Sequence, residues 1–135
     1  MDKAVICRQL EWAGPAVIEG WAPLPELVAT IADPRLYAVW IEAPEAMMRV
    51  RLEADVDFVR GAGDPVLSVN RLVSRSTLLT RRLRVQASAC GLPYVGLSGL
   101  ESPHDVASRC LEAVGLHHWA IEHWASGGAP SAARP

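Results

Sequence analysis

Apolar residues along the chain follow two rhythms. Short unbroken runs, Ala16-Val17-Ile18 and Leu36-Tyr37-Ala38-Val39-Trp40-Ile41, alternate with stretches in which apolar residues recur every three or four positions. An unbroken run suits a strand buried on both faces, and the wider spacing suits an amphipathic helix. The pattern therefore predicts a helix over Asp2 to Trp12, closed by Gly14-Pro15, and then a first strand over Ala16 to Glu19. Trp21 to Pro25 reads as a turn, with Pro25-Glu26 opening a short helix that stops at Asp33-Pro34. A second strand spans Leu36 to Glu42, and both strands end in a carboxylate, Glu19 and Glu42.

Helical spacing returns from Glu45 to about Ala54, with Ala46, Met47, Val50 and Ala54 on one face. Asp55 to Asp64 is polar, contains Gly61-Ala62-Gly63 and reads as a mobile connection. Asp64-Pro65 then supplies an N-cap and a first-position proline for the longest helix, which ends near Cys90-Gly91. Pro93 to Ser98 forms a third strand. Ser102-Pro103-His104-Asp105 is a capping-box pattern that starts a helix running to Val114. Residues through Trp124 add a further short helix. The pattern assigns residues 1–125 to one domain and 126–135, rich in Gly, Ala, Ser and Pro, to a disordered tail. Helices alternating with buried strands define an α/β protein with a parallel sheet of about three strands.

Composition narrows the classes. The 135 residues are 50% hydrophobic and carry a formal charge of −2, as a globular domain does. No run reaches the roughly 20 apolar residues of a bilayer span, and the amino terminus lacks the form of a signal peptide, so a cytoplasmic location without membrane contact is expected. Cys7, Cys90 and Cys110 are too scattered for a disulfide framework or a zinc site and read as reduced packing residues. His118 and Glu122 have one-turn spacing beside His117 and His123, but no four-ligand set is visible. Trp119 and Trp124 read as anchors of an amphipathic end.

Charge is unevenly distributed. Between Pro65 and Leu100 there is no acid, while Arg71, Arg75, Arg81, Arg82 and Arg84 all lie there. A local basic block on an otherwise acidic chain points to a small anionic ligand. Nucleic acid is not expected, because no aromatic interleaving or recognised module accompanies the arginines. Arg71 and Arg75 lie one helical turn apart, whereas Arg81, Arg82 and Arg84 read as a solvated face.

The order of elements from Ala16 to Gly115 resembles the carboxyl-terminal half of small P-loop kinases, the group of adenylate, cytidylate and shikimate kinases. Val17-Ile18-Glu19-Gly20-Trp21 looks like their strand ending in an acid and a glycine. Tyr37 to Glu45, followed by Arg51-Leu52, looks like the strand leading to the lid helix. Asp64 to Arg75 looks like the arginine-bearing helix after the lid, and Leu92 to Val114 like the final strand, adenine-side loop and closing helix. The resemblance implies a partial P-loop NTPase-like three-layer sandwich that uses ATP and Mg2+. It implies Glu19 as the catalytic carboxylate, reaching magnesium through water, and Arg51, Arg71 and Arg75 as phosphate ligands. It places Ser98 and Gly99 at the adenine and Trp21 at the substrate pocket.

The family's Gly-x-x-x-x-Gly-Lys-Ser/Thr loop is missing, and the one lysine, Lys3, follows no glycine run. The chain is therefore expected to be a truncated portion of a nucleotide or small-molecule kinase, inactive by itself. The alternative is a non-catalytic module that binds an anion or self-associates. The resemblance further implies that the strand of Ala16 to Glu19 pairs directly with that of Leu36 to Glu42, or that another chain fills the slot between them.

Overall fold

The computed structural model describes residues 3–12, 16–20, 22–61 and 63–116. The longest element, helix α5 (Pro65–Ala89), has 25 residues, and both strands and two of the other helices pack against it. Its start is fixed by Asp64, whose Oδ1 accepts the Leu67 N–H at 3.0 Å, and by Pro65 in the first turn. Its end is a left-handed Gly91 at φ +65°, a conformation open to glycine without strain, with the Leu92 N–H returned to the Ala87 carbonyl at 2.8 Å. Val69, Val73 and Ala87 on one side of α5 are buried, and Val73 is fully enclosed.

Two parallel strands lie against this helix. β1 (Trp40–Glu42) pairs with β2 (Tyr94–Gly96) in the register Trp40 to Tyr94, Ile41 to Val95 and Glu42 to Gly96. The Trp40 N–H donates to the Pro93 carbonyl at 3.1 Å and the Leu97 N–H to the Glu42 carbonyl at 2.8 Å, so the ladder extends just past each end. Residues 36–39, expected to belong to the strand, have no strand partner among the described residues, because β2 is only three residues long and follows directly on Pro93. Val95 is buried between sheet and helix. Trp40 donates from Nε1 to the Pro23 carbonyl at 3.2 Å, which holds the chain before helix α2 (Pro25–Val28) beside β1.

The remaining helices flank this centre. α1 (Lys3–Glu11) buries Ile6 and reaches the turn after α2 through Lys3 Nζ, which donates to the Thr30 carbonyl at 3.1 Å. α2 stops short of the expected Asp33: the chain tightens to three-residue turns, with the Thr30 N–H donating to the Leu27 carbonyl at 3.1 Å and the Ile31 N–H to the Val28 carbonyl at 2.9 Å, and the Thr30 hydroxyl also donates to the Leu27 carbonyl at 2.7 Å. α3 (Glu45–Ala54) has the expected bounds. α6 (Pro103–Ala113) starts with the reciprocal capping box of Ser102 and Asp105 and packs on β2.

Two expectations are corrected. Ala16 to Gly20 forms no strand: all five residues are exposed, Val17 to 96%. A three-residue apolar run stays extended in a sheet only when a neighbour completes its ladder, and among the described residues the sheet has two strands, not three. Direct pairing of that segment with β1 is therefore absent. The connection after α3 is also not irregular, because it contains α4 (Val56–Gly61), capped by Asp55 Oδ1 on the Phe58 N–H at 2.9 Å. The α/β class stands in its coarser form, a small parallel sheet flanked by helices. Trp21, the histidines and tryptophans from His117 to Trp124, and the tail at 126–135 lie outside the described residues.

Candidate functional site

Parallel strands that enter a helix crossover leave a crevice beyond their carboxyl ends. Here that crevice is a cleft of about 310 Å³ between the β1–α3 turn and the middle of α5. Glu42, Pro44, Glu45 and Met48 line one side, Thr77, Thr80 and Arg81 the other, and Leu97 at the end of β2 the floor. Pro44 is the N-cap of α3 and supplies no side-chain acceptor, so the first amides of that helix carry the positive end of its dipole uncapped.

The charges around the cleft are unequal in their engagement. Glu42 lies 3.6 Å from Arg84, and Glu45 lies 3.4 Å from Arg49, which also donates to Asn70 Oδ1 at 2.7 Å. Both carboxylates thus have a guanidinium partner. Arg81 is exposed and makes no ion pair among the described residues. Thr80 donates its hydroxyl to the Ser76 carbonyl at 2.7 Å, whereas the Thr77 hydroxyl is buried with no hydrogen-bond partner among the described residues. A buried hydroxyl in that condition costs about 1–3 kcal/mol until a partner meets it. An uncommitted guanidinium, an unpartnered hydroxyl and a helix amino terminus make a site suited to an oxyanion.

Of the residues singled out from sequence, few stand here. Glu19 is exposed in the irregular segment before α2 and terminates no strand, and the acid at the strand end is Glu42. Arg51 lies in the last turn of α3, about 9 Å along the helix from Glu45 and the cleft. Arg71 and Arg75 are both exposed, on a different face of α5 from Thr77 and Thr80.

Ser98 and Gly99 lie beside the cleft, where a Cβ on Gly99 would come within 3.8 Å of Pro44 and 3.6 Å of Met47. Their amides are engaged within the chain: Ser98 N–H donates to Glu101 Oε1 at 2.8 Å and Gly99 N–H to Glu101 Oε2 at 2.9 Å. Arg109 closes the network, donating to Glu101 Oε1 at 2.9 Å and to the Gly96 carbonyl at 2.7 Å. The Ser98 amide, chief among these donors, holds the Glu101 carboxyl well below its usual range, at about 2.

Thr77 and Thr80 escaped the sequence reading, which took Arg81 and Arg84 as a solvated face, although a signal was there in the four together. They recur at i, i+3, i+4 and i+7, which places two hydroxyls and two guanidiniums on one side of the long helix.

A second cleft of about 310 Å³ lies between α1 and the turn at Thr30 to Arg35. Its cations are already engaged, Lys3 with the Thr30 carbonyl and Arg35 with Asp33 at 2.7 Å. Among the described residues no three His, Cys, Asp or Glu side chains gather as a metal site. No helix among them is long and apolar enough to cross a membrane. Cys7, Cys90 and Cys110 are unbridged and half-buried, and burial pushes the Cys110 thiol up. Comparison with protein-family models, with curated proteins and with solved structures finds no match.

Proposed function

We propose that the protein binds a small phosphate-bearing anion in the cleft beyond β1 and β2, as an α/β binding module that does not transfer the phosphoryl group unaided. The observation that carries this is Arg81, without an ion pair among the described residues, beside the unpartnered Thr77 hydroxyl and facing the uncapped start of α3. Guanidinium, hydroxyl and helix amides are the donors a phosphate accepts. Glu42 and Glu45 would oppose an anion, but each is offset by its own arginine.

A second reading, a portion of a phosphotransferase, draws on the parallel pair joined through helices and on the carboxylate at the end of β1. In that reading another chain supplies the phosphate cradle, and ATP with Mg2+ would be held between the two.

Calorimetric titration of the full chain with inorganic phosphate, pyrophosphate and ADP tests the first reading. Binding is expected for at least one of them, weakened about tenfold by Arg81→Ala and severalfold by Thr77→Val, while Arg71→Ala leaves it unchanged. Absence of heat from folded protein refutes the reading. Sensitivity to Arg71→Ala instead of Arg81→Ala moves the site to another face of α5, and ATP turnover by the isolated chain removes the claim that transfer needs a partner.

A further inference from the structure

The outward side of α5 departs from what a solvated helix face normally carries. Leu67, Arg71, Ser74, Leu78, Arg82, Val85 and Ala89 are all exposed and recur at steps of three or four, which places them on one stripe, with Arg75 at its edge. Leu78 is 68% exposed and Val85 65%. Between Pro65 and Ala89 the helix has no acid, so Arg71 and Arg82 have no balancing carboxylate on their own element. The opposite side is committed, with Val69, Val73 and Ala87 buried towards the sheet and the neighbouring helices.

We propose that this stripe docks an acidic amphipathic helix of another protein. Leu78 and Val85, seven residues apart, with Leu67 three turns earlier, match apolar residues on one face of a second helix, and the adjacent arginines match glutamates flanking them. From Arg71 to Val85 the stripe runs about 21 Å, four turns of contact, enough for a weak and reversible complex. A second copy of α5 is a poor occupant, because arginines would face arginines with no acid on either helix. A nucleic-acid backbone would engage the guanidiniums and leave Leu78 and Val85 against water. An anionic lipid surface demands a broad apolar face for insertion, and the apolar residues here form one narrow row beside the charged one. The proposal is independent of the cleft, since Thr77 and Thr80 lie on another face of the helix and none of the stripe residues lines it.

Fluorescence anisotropy with the full chain and a labelled synthetic peptide tests it. The peptide carries leucine at a and d and glutamate at e and g, and its control has the same residues in scrambled order. Micromolar binding is expected, with about a tenfold loss for the scrambled peptide and at least as large a loss for Arg71→Glu/Arg82→Glu. Leu78→Ser separates apolar docking from charge alone and is expected to weaken binding severalfold. Circular dichroism and an unchanged melting temperature verify that the variants fold. Equal binding of the scrambled peptide, or indifference to the arginine reversal, overturns the proposal. So does tighter binding to a short DNA duplex or to phosphatidylserine vesicles, or self-association in sedimentation equilibrium that Arg71→Glu/Arg82→Glu abolishes.

Discussion

Glu101 concentrates more of the chain's polar organisation than any residue singled out from sequence. Its two carboxylate oxygens take the amides of Ser98 and Gly99 and a guanidinium nitrogen of Arg109, so the loop between β2 and α6 closes around a negative charge. The same amides would have been the loop's contribution to a ligand. Because the folded pKa of Glu101 is depressed from 4.5 to about 2, its contribution to stability is fully present above the unfolded value. That contribution disappears as pH falls from about 4.5 towards 2. Glu101→Gln is therefore expected to melt below the parent at pH 7, with the gap closing as pH falls through that window. Thermal melts at stepped pH measure this, and parallel profiles would contradict it. Asp33, held near 2 chiefly by the Arg35 side chain, loses its contribution over a similar acid range, so only the difference between variant and parent isolates Glu101.

At the level of elements, the helices start where their caps were legible. Ser102 accepts the Asp105 N–H on its hydroxyl at 3.2 Å while Asp105 accepts the Ser102 N–H at 3.0 Å, satisfying two orphan donors of α6 at once. Ser102→Ala is expected to cost about 1 kcal/mol, read as a lower urea midpoint with unchanged slope. Asp64→Ala at the start of α5 is expected to cost a similar amount, about 1 kcal/mol. An unchanged midpoint for both would mean that neighbouring contacts, not caps, fix these boundaries. α4 teaches the complementary lesson. Asp55 caps it just as Asp64 caps α5, yet the polar character of Asp55 to Asp64 made the segment read as a loop. The strands depended on more than their own residues: β1 starts where β2 first offers a partner, not where its apolar run begins.

For the molecule as a whole, the small buried set dominates. Ile6, Val28, Val69, Val73, Ala87 and Val95 are the buried hydrophobic residues among those described, Val73 and Ala87 completely so. Val73→Ala, at 0% exposure on the inner side of α5, is expected to cost about 2 kcal/mol, a substantial share of a stability of about 5–15 kcal/mol. Leu78→Ala on the outer side of the same helix is expected to change stability by less than about 0.5 kcal/mol. Chemical denaturation of the two variants decides this, and a comparable loss for Leu78→Ala would show that the stripe is covered within the chain.

The amino-acid sequence by itself determined where α3, α5 and α6 lie and that β1 and β2 are apolar, because caps, proline positions and helical spacing act over a few neighbouring residues. It also located the acid-free stretch that becomes the basic outer side of α5. Only the tertiary structure decided that Ala16 to Glu19 pairs with nothing, since a strand exists through its neighbours and the apolar run alone cannot supply them. The same holds for the chemistry at the strand ends. Arg71 and Arg75 share a helix with Arg81 and Arg84, but the side of α5 facing the sheet is selected by burial of Val69, Val73 and Ala87, and that selection turns Thr77, Thr80 and Arg81 to the cleft.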